Sequence, residues 1–287
     1  MPLVSAAIIT HNRAHYLEDA IASVLDQSFG DLELIVVDDG STDDTRAVVA
    51  QHRDPRIRYV RQEHSGKALA RNAAVTLARG EFLAFCDSDD VWYPHRLARQ
   101  VAAFRGNPHV GMVHGHVTVI DEQGRESPER TASVREDFGA AHRNGATYAS
   151  YALDCKCFSS TILVRRNVFD VVGLYDPELA IEDYDFYLRL LLDFDVLFLD
   201  GPPLAMYRTH DAKTGDHELG SGQIQTAEKH LAFLDENPGV ADARRARRNF
   251  HVMIARTWRV LGDRRQARAA ALRALRHGAP QALRFAR

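Results

Sequence analysis

The sequence predicts an α/β fold, in which a mostly parallel central sheet is flanked by helices and followed by a C-terminal helical appendage. Over residues 4–90, short apolar runs alternate with helical patterns, which is typical of parallel strands joined by crossover helices. The run at 82–86 is uncharged and uninterrupted, as in a strand that is buried on both faces. Beyond residue 222 the pattern is helical throughout.

The first half of the chain contains predicted strands and helices in strict alternation. Apolar residues at three- and four-residue spacing identify the helices, and Gly66 and Gly80 bound the third helix. The predicted strands are 4–9, 32–37, 57–61 and 82–86, and the predicted helices are 13–27, 42–51 with Ser41 or Thr42 as its cap, and 67–78.

The second half of the chain is less regular. The predicted strands there are 110–120, 158–164, 196–199 and 204–208, and the predicted helices are 94–104, 167–172, 181–192 and an antiparallel pair within 249–278. Residues 126–150 are polar and show no period, so we predict an irregular loop that is mobile or faces the acceptor. Residues 211–222 are small and polar, and we predict a flexible connection or lid.

Composition places the chain among ordinary globular proteins, since 45% of its 287 residues are hydrophobic and 26% are charged. No uncharged apolar stretch reaches the roughly 18 residues of a membrane span, and the first residues lack the basic segment of a signal peptide. Cys86, Cys155 and Cys157 have no C-x-x-C spacing, which indicates a reducing compartment and argues against a zinc site. We therefore predict a cytoplasmic protein.

Charge is distributed unevenly along the chain. Residues 241–287 hold thirteen arginines against two aspartates, a net +11, so the rest carries −14 of the total of −3. One interpretation is that this segment lies on an anionic membrane surface. The other is that it forms a helical cap on the acidic body, with its arginines solvated or paired. The basic segment has few aromatic residues, so we predict no nucleic-acid partner.

Polar side chains follow three of the predicted parallel strands. Because the carboxyl ends of parallel strands meet at one edge of a sheet, these side chains should line a single crevice. Acidic groups crowded there suit a hard divalent cation, although an aspartate can also simply cap the next helix. The residues are Thr10, His11 and Asn12 after the first strand, Asp38 and Asp39 after the second, and Asp87, Ser88, Asp89 and Asp90 after the fourth.

Six sequence blocks together resemble the family 2 glycosyltransferases of the GT-A fold. The blocks are V-S-A-A-I-I-T-H-N at 4–12, V-V-D-D-G-S-T-D-D-T at 36–45, G-K-A-L-A-R-N at 66–72, D-S-D-D-V-W at 87–92, E-D-Y-D at 182–185 and Y-R-T-H at 207–210. The resemblance implies a Rossmann-like domain that transfers a sugar from a nucleotide-sugar donor. Ile9 and His11 depart from the family, which has Pro and Tyr at these positions.

The resemblance implies which residues bind the donor. Asp39 would accept a hydrogen bond from an N–H on the recognised edge of the base, which uracil, thymine and guanine offer there and cytosine does not, so UDP is favoured and dTDP or GDP are alternatives. The implied nucleotide-binding residues are Thr10, His11, Asn12, Asp39, Lys67, Arg71, Asp87 and Ser88. The implied cofactor is Mg²⁺ or Mn²⁺, held by Asp89, Asp87 and His210. Structural alternatives stay open: Asp39 as a helix cap, Asn12 as a turn residue and Lys67 as a solvated helix residue.

Asp183 is the general base that the resemblance implies for an inverting transfer, in which a carboxylate takes the proton of the acceptor hydroxyl. Glu182 and Asp185 lie in the same helical turn but point elsewhere on the helix. Asp185 and Arg189, at i and i+4, suit a surface ion pair. A helix N-terminus also favours acidic residues for electrostatic reasons alone.

The resemblance also implies a division of the chain and a biological role. Residues 1–115 would bind the nucleotide sugar, and residues 116–218 would form the acceptor-binding half of the same GT-A domain. Residues 219–287 would form a helical region, which rests on their helical pattern because the tail lies outside the resemblance. The acceptor would be a saccharide or a lipid-linked molecule in polysaccharide or glycoconjugate biosynthesis, and a membrane-bound tail would place the protein at the inner face of the membrane. The alternatives are a sugar-nucleotide pyrophosphorylase-like enzyme and an inactive transferase-like scaffold.

Overall fold

A computed structural model of the chain describes residues 1–142, 145–155, 157–210 and 215–286. The chain divides into two compact units. The first unit comprises Met1–Gly145, Cys157–Pro177 and Phe194–Asp211, and the second comprises Ala146–Lys156, Glu178–Asp193 and Ala212–Arg287. In the described part of the chain, no helix is both long and apolar enough to cross a membrane.

All strands named here belong to the first unit. They are β1 Val4–Thr10, β2 Leu32–Asp39, β3 Ile57–Gln62, β4 Phe82–Asp87, β5 Val91–Trp92, β6 Val110–Gly115, β7 Val117–Ile120, β8 Leu163–Arg165, β9 Asp195–Leu199 and β10 Ala205–Arg208. The larger sheet has the order β3-β2-β1-β4-β8-β6-β9, and the smaller has the order β5-β10-β7. In the larger sheet only β8 runs antiparallel to its neighbours, which confirms the predicted mostly parallel sheet.

The helices are divided between the two units. They are α1 Ala14–Leu25, α2 Thr45–Gln51, α3 Lys67–Leu77, α4 Arg96–Phe104, α5 Pro128–His142, α6 Tyr148–Tyr151, α7 Val168–Val172, α8 Glu182–Asp193, α9 Asp216–Glu236, α10 Ala243–Val260, α11 Arg264–Arg276 and α12 Leu283–Ala286. The predicted C-terminal helices are thus present, and α6 and α8 join them in the second unit.

The core of the first unit lies on both faces of the parallel strands. Every residue of β2 is buried, as are all residues of β4 before Asp87, which explains why both segments are rich in apolar residues. Gly80 lets the chain enter β4 against β1, because a Cβ atom there would lie 2.6 Å from the Ser5 amide nitrogen. This contact helps set the parallel register that brings the ends of β1, β2 and β4 to one edge.

Two predicted strands are shorter than expected. Residues 110–120 form two strands in different sheets, because the chain leaves the larger sheet at Gly115, where a Cβ atom would lie 2.9 Å from Leu204 Cδ1 and 3.0 Å from the Leu199 carbonyl. Both strands are apolar, so their pattern resembles that of one long strand. Within 158–164, Ser159–Thr161 form a 3₁₀ turn, and β8 begins only at Leu163.

The predicted irregular loop at 126–150 is wrong, because most of it forms α5 and α6. Helix α5 is polar on almost every side, and among its described side chains only Thr131 and Val134 are partly buried, so it has no apolar stripe to reveal it.

The prediction of a flexible connection or lid at 211–222 is wrong for the part of that segment that the structure describes. Residues 211–214 lie outside the described residues, and residues 216–222 are helical in α9. Its glycines serve close packing rather than flexibility, since a Cβ atom at Gly222 would lie 2.6 Å from Ile181 Cγ1. A similar atom at Gly220 would lie 3.1 Å from Leu261 and Thr257.

The C-terminal helices of the second unit pack through small and apolar residues. Helix α10 buries Phe250, Met253 and Ile254, and it also buries His251, whose ring stacks on His277 with centroids 5.3 Å apart. Burial, and then the nearby charges of His277 and Arg273, lower the pKa of His251 to about 4. An unfolded chain would take up this proton near the ordinary pKa of 6.5. Acid therefore favours the unfolded state.

We expect the second unit to lose stability as the pH falls from 6.5 towards 4, because the unfolded state binds the His251 proton before the folded state does. The His251→Gln variant should show a smaller decrease in melting temperature over this range than the unsubstituted protein, as measured by circular dichroism. His109→Gln removes an exposed histidine and serves as the matched control. Identical pH dependence in His251→Gln and the unsubstituted protein would contradict this role.

Candidate functional site

Residues 87–90, which we call the acidic turn, begin at the last residue of β4 and are anchored within the first unit. The Asp90 amide donates to the Asp87 carbonyl at 3.0 Å, and the Asp87 amide donates to Ser160 Oγ at 2.9 Å. Ser88, Asp89 and Asp90 are buried, while the Asp87 side chain is 27% exposed. The turn therefore holds one accessible carboxylate beside buried ones at the carboxyl end of a parallel strand, where ligands bind in sheets of this kind.

Asp89 and His210 are brought together by the fold, although they lie far apart in the sequence. The distance between Asp89 Oδ2 and His210 Nε2 is 2.7 Å. His210 follows β10, and its ring also stacks on Tyr16 with centroids 5.5 Å apart. Two of the three predicted metal-binding residues are thus in direct contact.

Arg208 holds this arrangement together, and our interpretation of the sequence assigned it no individual role. Its backbone amide donates to Asp90 Oδ1 at 2.9 Å, and its Nε donates to the Asp89 carbonyl at 2.9 Å. Its Nη1 donates to the Glu122 carbonyl at 3.0 Å, and its guanidinium lies 4.8 Å from the ring centre of Tyr16. Arg208 therefore joins β10 to the acidic turn. The sequence signal was the Y-R-T-H block, in which only the histidine suggested chemistry.

Arg71 lies in the interior of the first unit rather than on its surface. Its side chain is 1% exposed, and Nη2 lies 3.3 Å from Asp87 Oδ1 and donates to Ser159 Oγ. The guanidinium also lies over Phe85, 5.5 Å from the ring centre. Arg71 thus contacts the carboxylate that was predicted to bind the donor, while Lys67, one turn earlier in α3, is exposed.

Asp39 accepts hydrogen bonds from the loop that follows β3. Gln62 Nε2 and the Ser65 amide donate to Oδ1 at 2.7 and 2.9 Å, and the Gly66 amide donates to Oδ2 at 2.9 Å. His64 Nδ1 lies 2.9 Å from Oδ2. Burial alone would raise the pKa of Asp39, but these hydrogen bonds hold it below its ordinary value. Asp39 is therefore an ionised acceptor that orders the 62–66 loop, rather than the cap of α2.

The residues after β1 form a tight turn against the residues after β2. Asn12 has a left-handed φ of 52°, and its Oδ1 accepts from the Thr42 amide at 2.8 Å, so the turn-forming alternative describes its local geometry. His11 is exposed, its Nδ1 lies 2.7 Å from the Asp39 carbonyl oxygen, and its ring stacks on His64 with centroids 4.1 Å apart. These contacts bring the ends of β1 and β2 together as predicted.

Thr10 and Asp38 lie beneath this surface. Thr10 is 1% exposed, and its hydroxyl has no hydrogen-bond partner among the described residues. Asp38 Oδ1 accepts from the Ser41 amide at 2.8 Å, and its Oδ2 accepts from the Tyr59 hydroxyl. Helix α2 begins at Thr45, later than predicted, and Asp43 Oδ1 accepts from the Thr45 amide at 3.1 Å.

Asp183 lies in the first turn of α8, in the second unit. Its Oδ1 accepts from the Tyr184 amide at 2.8 Å. The neighbouring Glu182 is 3% exposed. Asp183 is the only one of the predicted catalytic, nucleotide-binding and metal-binding residues that belongs to the second unit.

Asp185 is fully buried, so the predicted surface pair with Arg189 is wrong in its location although the pair forms at 2.8 Å. Lys229 Nζ and His230 Nε2 lie 2.8 and 3.1 Å from Asp185 Oδ1, and Tyr148 Oη lies 2.9 Å from His230 Nδ1. Burial alone would raise the pKa of Asp185, but the His230 hydrogen bond and the Arg189 charge hold it well below its usual range. This network fastens α8 to α9 and α6.

The residues of the acidic turn fit a divalent ion that is bound jointly by the protein and by the phosphates of a nucleotide. The Asp89 carboxylate oxygen contacts the His210 imidazole nitrogen. The Asp87 carboxylate, two residues before Asp89, is partly exposed to solvent. In the described part of the chain, no group of three or more His, Cys, Asp and Glu side chains is placed to hold a metal ion without further ligands. Ions such as Mg²⁺ are commonly held by one or two protein ligands together with substrate phosphates, and this donor set suits that arrangement.

Comparison with known proteins identifies the family. Residues 5–173 match the model for glycosyl transferase family 2. The chain is 31% identical over 195 residues to "UDP-Glc:alpha-D-GlcNAc-diphosphoundecaprenol beta-1,3-glucosyltransferase WfgD" of Escherichia coli, which covers 68% of this chain and 72% of WfgD. For another curated relative, the match covers only 54% of that protein's length.

Solved structures share the fold at low sequence identity. TarS 1–349 of S. aureus in complex with UDP has a TM-score of 0.68 and 20% identity, covering 98% of this chain and 82% of that chain. The mannosyltransferase PcManGT of Pyrobaculum calidifontis, in complex with GDP-Man and Mn²⁺, has a TM-score of 0.66 and 21% identity, covering 99% and 78%. The fold is therefore of the GT-A type, as the resemblance implied. Together with the family match, these findings show that the chain belongs to glycosyl transferase family 2 and is a transferase enzyme.

Proposed function

We propose that the chain transfers a sugar, with inversion, from a nucleoside-diphosphate sugar to a hydroxyl of a saccharide or lipid-linked acceptor. The role would lie in polysaccharide or glycoconjugate biosynthesis. The observation that carries the proposal is the contact of 2.7 Å between Asp89 and His210 at the carboxyl end of β4, where a parallel sheet binds ligands. In the proposal, residues 1–115 bind the donor, 116–218 bind the acceptor, and 219–287 form the helical region.

A UDP-sugar is the donor that we favour. Asp39 is ionised at neutral pH and can only accept hydrogen bonds, which suits the N–H of uracil, thymine or guanine and disfavours cytosine. Thr10, His11 and Asn12 would contact the base or ribose beside it. WfgD is described as using UDP-Glc, and the TarS and PcManGT structures hold UDP and GDP-Man, which supports a nucleotide-sugar donor. The alternatives to UDP are dTDP and GDP.

In this proposal Asp89, Asp87 and His210 hold Mg²⁺ or Mn²⁺ at the diphosphate, and the Mn²⁺ bound to PcManGT supports a divalent cofactor. When bound, the ion supplies Lewis-acid stabilisation of the negative charge on the departing nucleoside diphosphate. Arg71 orients Asp87 through their contact of 3.3 Å, and Arg208 fixes the turn that carries Asp89. Ser88 and Lys67 would contact the donor, Lys67 by its charge at the phosphates.

Asp183 is the proposed general base. Its carboxylate would take the proton of the acceptor hydroxyl while the hydroxyl oxygen forms a bond to the anomeric carbon. The bond between that carbon and the phosphate oxygen breaks in the same displacement, and the nucleoside diphosphate leaves with the electron pair. The buried Asp185 network would hold α8 in place during this step.

We expect UDP with Mn²⁺ to raise the melting temperature of the protein by about 5–10 °C at a concentration of about 100 Kd. CDP with Mn²⁺ should raise it far less, because cytosine lacks the N–H that Asp39 would bind. UDP without metal should also have a smaller effect. The measurement is a thermal-shift panel of UDP, dTDP, GDP and CDP with and without Mn²⁺ or Mg²⁺, and a lack of response to every nucleotide would contradict the proposed donor.

A further inference from the structure

Helix α11 presents a basic face on the side opposite its packed face. Its packed face consists of alanines, namely Ala267, Ala270, Ala271 and Ala274, all of which are buried. Arg265, Arg268, Leu272 and Arg276 follow the spacing i, i+3, i+7 and i+11, which places them within a sector of about 80° on the opposite side of an ideal helix. All four are exposed. We call these four residues the basic stripe.

Within the described part of the chain, the arginines of the basic stripe form no ion pairs. In the preceding helix, Arg247 lies 3.2 Å from Asp235, and Arg256 lies 3.7 Å from Asp154. By contrast, no carboxylate among the described residues lies within ion-pairing distance of the three guanidinium groups of the basic stripe. Of the two interpretations of the C-terminal charge, pairing with the acidic body therefore does not apply to the basic stripe.

Exposed apolar side chains occur within the basic stripe and in the adjoining helices. Leu272, at the centre of the basic stripe, is 49% exposed, and Val260 and Leu283 in the adjoining helices are 74% and 48% exposed. Arginine with interspersed leucine suits a surface of lipid headgroups, because guanidinium groups bind phosphates while the apolar side chains enter the boundary of the acyl chains. The basic stripe offers no aromatic ring for stacking on nucleic-acid bases.

We propose that the basic stripe docks the protein on an anionic lipid surface. Residues 241–287 carry +11, so such a surface attracts them, and the remaining residues carry −14 and are repelled, which restricts the contact to the C-terminal segment. The association needs neither a donor nor an acceptor. A failure of this inference would therefore leave the proposed sugar transfer untouched.

Sedimentation with lipid vesicles tests the inference on the full chain. We expect binding to vesicles of phosphatidylcholine and phosphatidylglycerol, and none to phosphatidylcholine alone. Each arginine near the surface should contribute roughly fivefold, so the triple variant Arg265→Gln, Arg268→Gln, Arg276→Gln should bind on the order of a hundredfold more weakly. Leu272→Ser should weaken binding by several-fold, and raising the salt from about 0.1 M to about 1 M should release the protein.

A matched variant separates the basic stripe from net charge. Arg46→Gln, Arg53→Gln, Arg105→Gln removes the same charge from exposed positions of the first unit, and it should bind anionic vesicles nearly as well as the unsubstituted protein. Circular dichroism melting curves establish that both triple variants are folded. Equal vesicle binding by the two triple variants, or tighter binding to duplex DNA than to the anionic vesicles, would overturn the proposal.

Discussion

Replacement of Asp183 by asparagine should lower the transfer rate by about 10²–10⁴-fold, the usual contribution of general base catalysis. Asparagine keeps the size and shape of the side chain but cannot take the proton of the acceptor hydroxyl. Donor binding should persist, because the predicted donor-binding residues all belong to the first unit. The measurement combines steady-state transfer rates with the thermal shift produced by UDP and Mn²⁺.

Asp193→Asn provides the matched control for this variant, because the same chemical change is made at the exposed far end of the same helix. It should leave both the transfer rate and the thermal shift unchanged. Retention of most of the transfer rate by Asp183→Asn would assign the base to another residue. Loss of the thermal shift together with activity would instead indicate that Asp183 is needed for the structure of the donor site.

Replacement of Asp89 by asparagine should abolish the metal-dependent part of nucleotide binding and lower the transfer rate by at least about 10²-fold. The carboxylate contacts His210 at 2.7 Å, so its loss removes the negative charge from the predicted metal-binding pair. The readout that does not depend on activity is a Mn²⁺ titration with UDP present, followed by the electron paramagnetic resonance signal of free Mn²⁺.

Asp31→Asn removes a carboxylate from an exposed loop of the same unit and should bind Mn²⁺ as the unsubstituted protein does. His210→Gln should weaken Mn²⁺ binding in the same direction as Asp89→Asn, since the two residues would act on one ion. Unchanged Mn²⁺ affinity in Asp89→Asn would refute the metal-binding role of the acidic turn, even if activity were lost.

Much of the fold was predictable because its strands are buried on both faces. The runs at β1, β2 and β4 are mostly apolar, and each is followed by a helical stripe, so that local pattern and tertiary burial agree. Prediction failed where the local pattern of polar and apolar residues does not indicate which residues are buried. Helix α5 is polar on nearly every side, and Gly220 and Gly222 suggested a flexible segment although they pack closely within α9.

The candidate site, like the fold, was predictable only in part. Sequence blocks placed acidic and polar residues at the ends of three strands, and the structure brings the ends of β1 and β2 together through His11, Asn12 and Asp39. The positioning role of Arg208 was not predictable, because the shortest hydrogen bonds of its guanidinium go to the backbone carbonyls of Asp89 and Glu122. Every residue carries a carbonyl, so contacts of this kind leave no trace in composition or spacing.

By itself, the sequence determined the α/β class, the order of most elements, the family and the residues at the strand ends, because periodicity and short motifs encode these locally. Only the tertiary structure decided that Asp89 contacts His210, that Arg71 is buried against Asp87, and that the arginines of the basic stripe have no ion-pair partners among the described residues. Asp89 and His210 lie 121 positions apart. Contacts over such separations depend on strand register and helix packing, which no local pattern specifies.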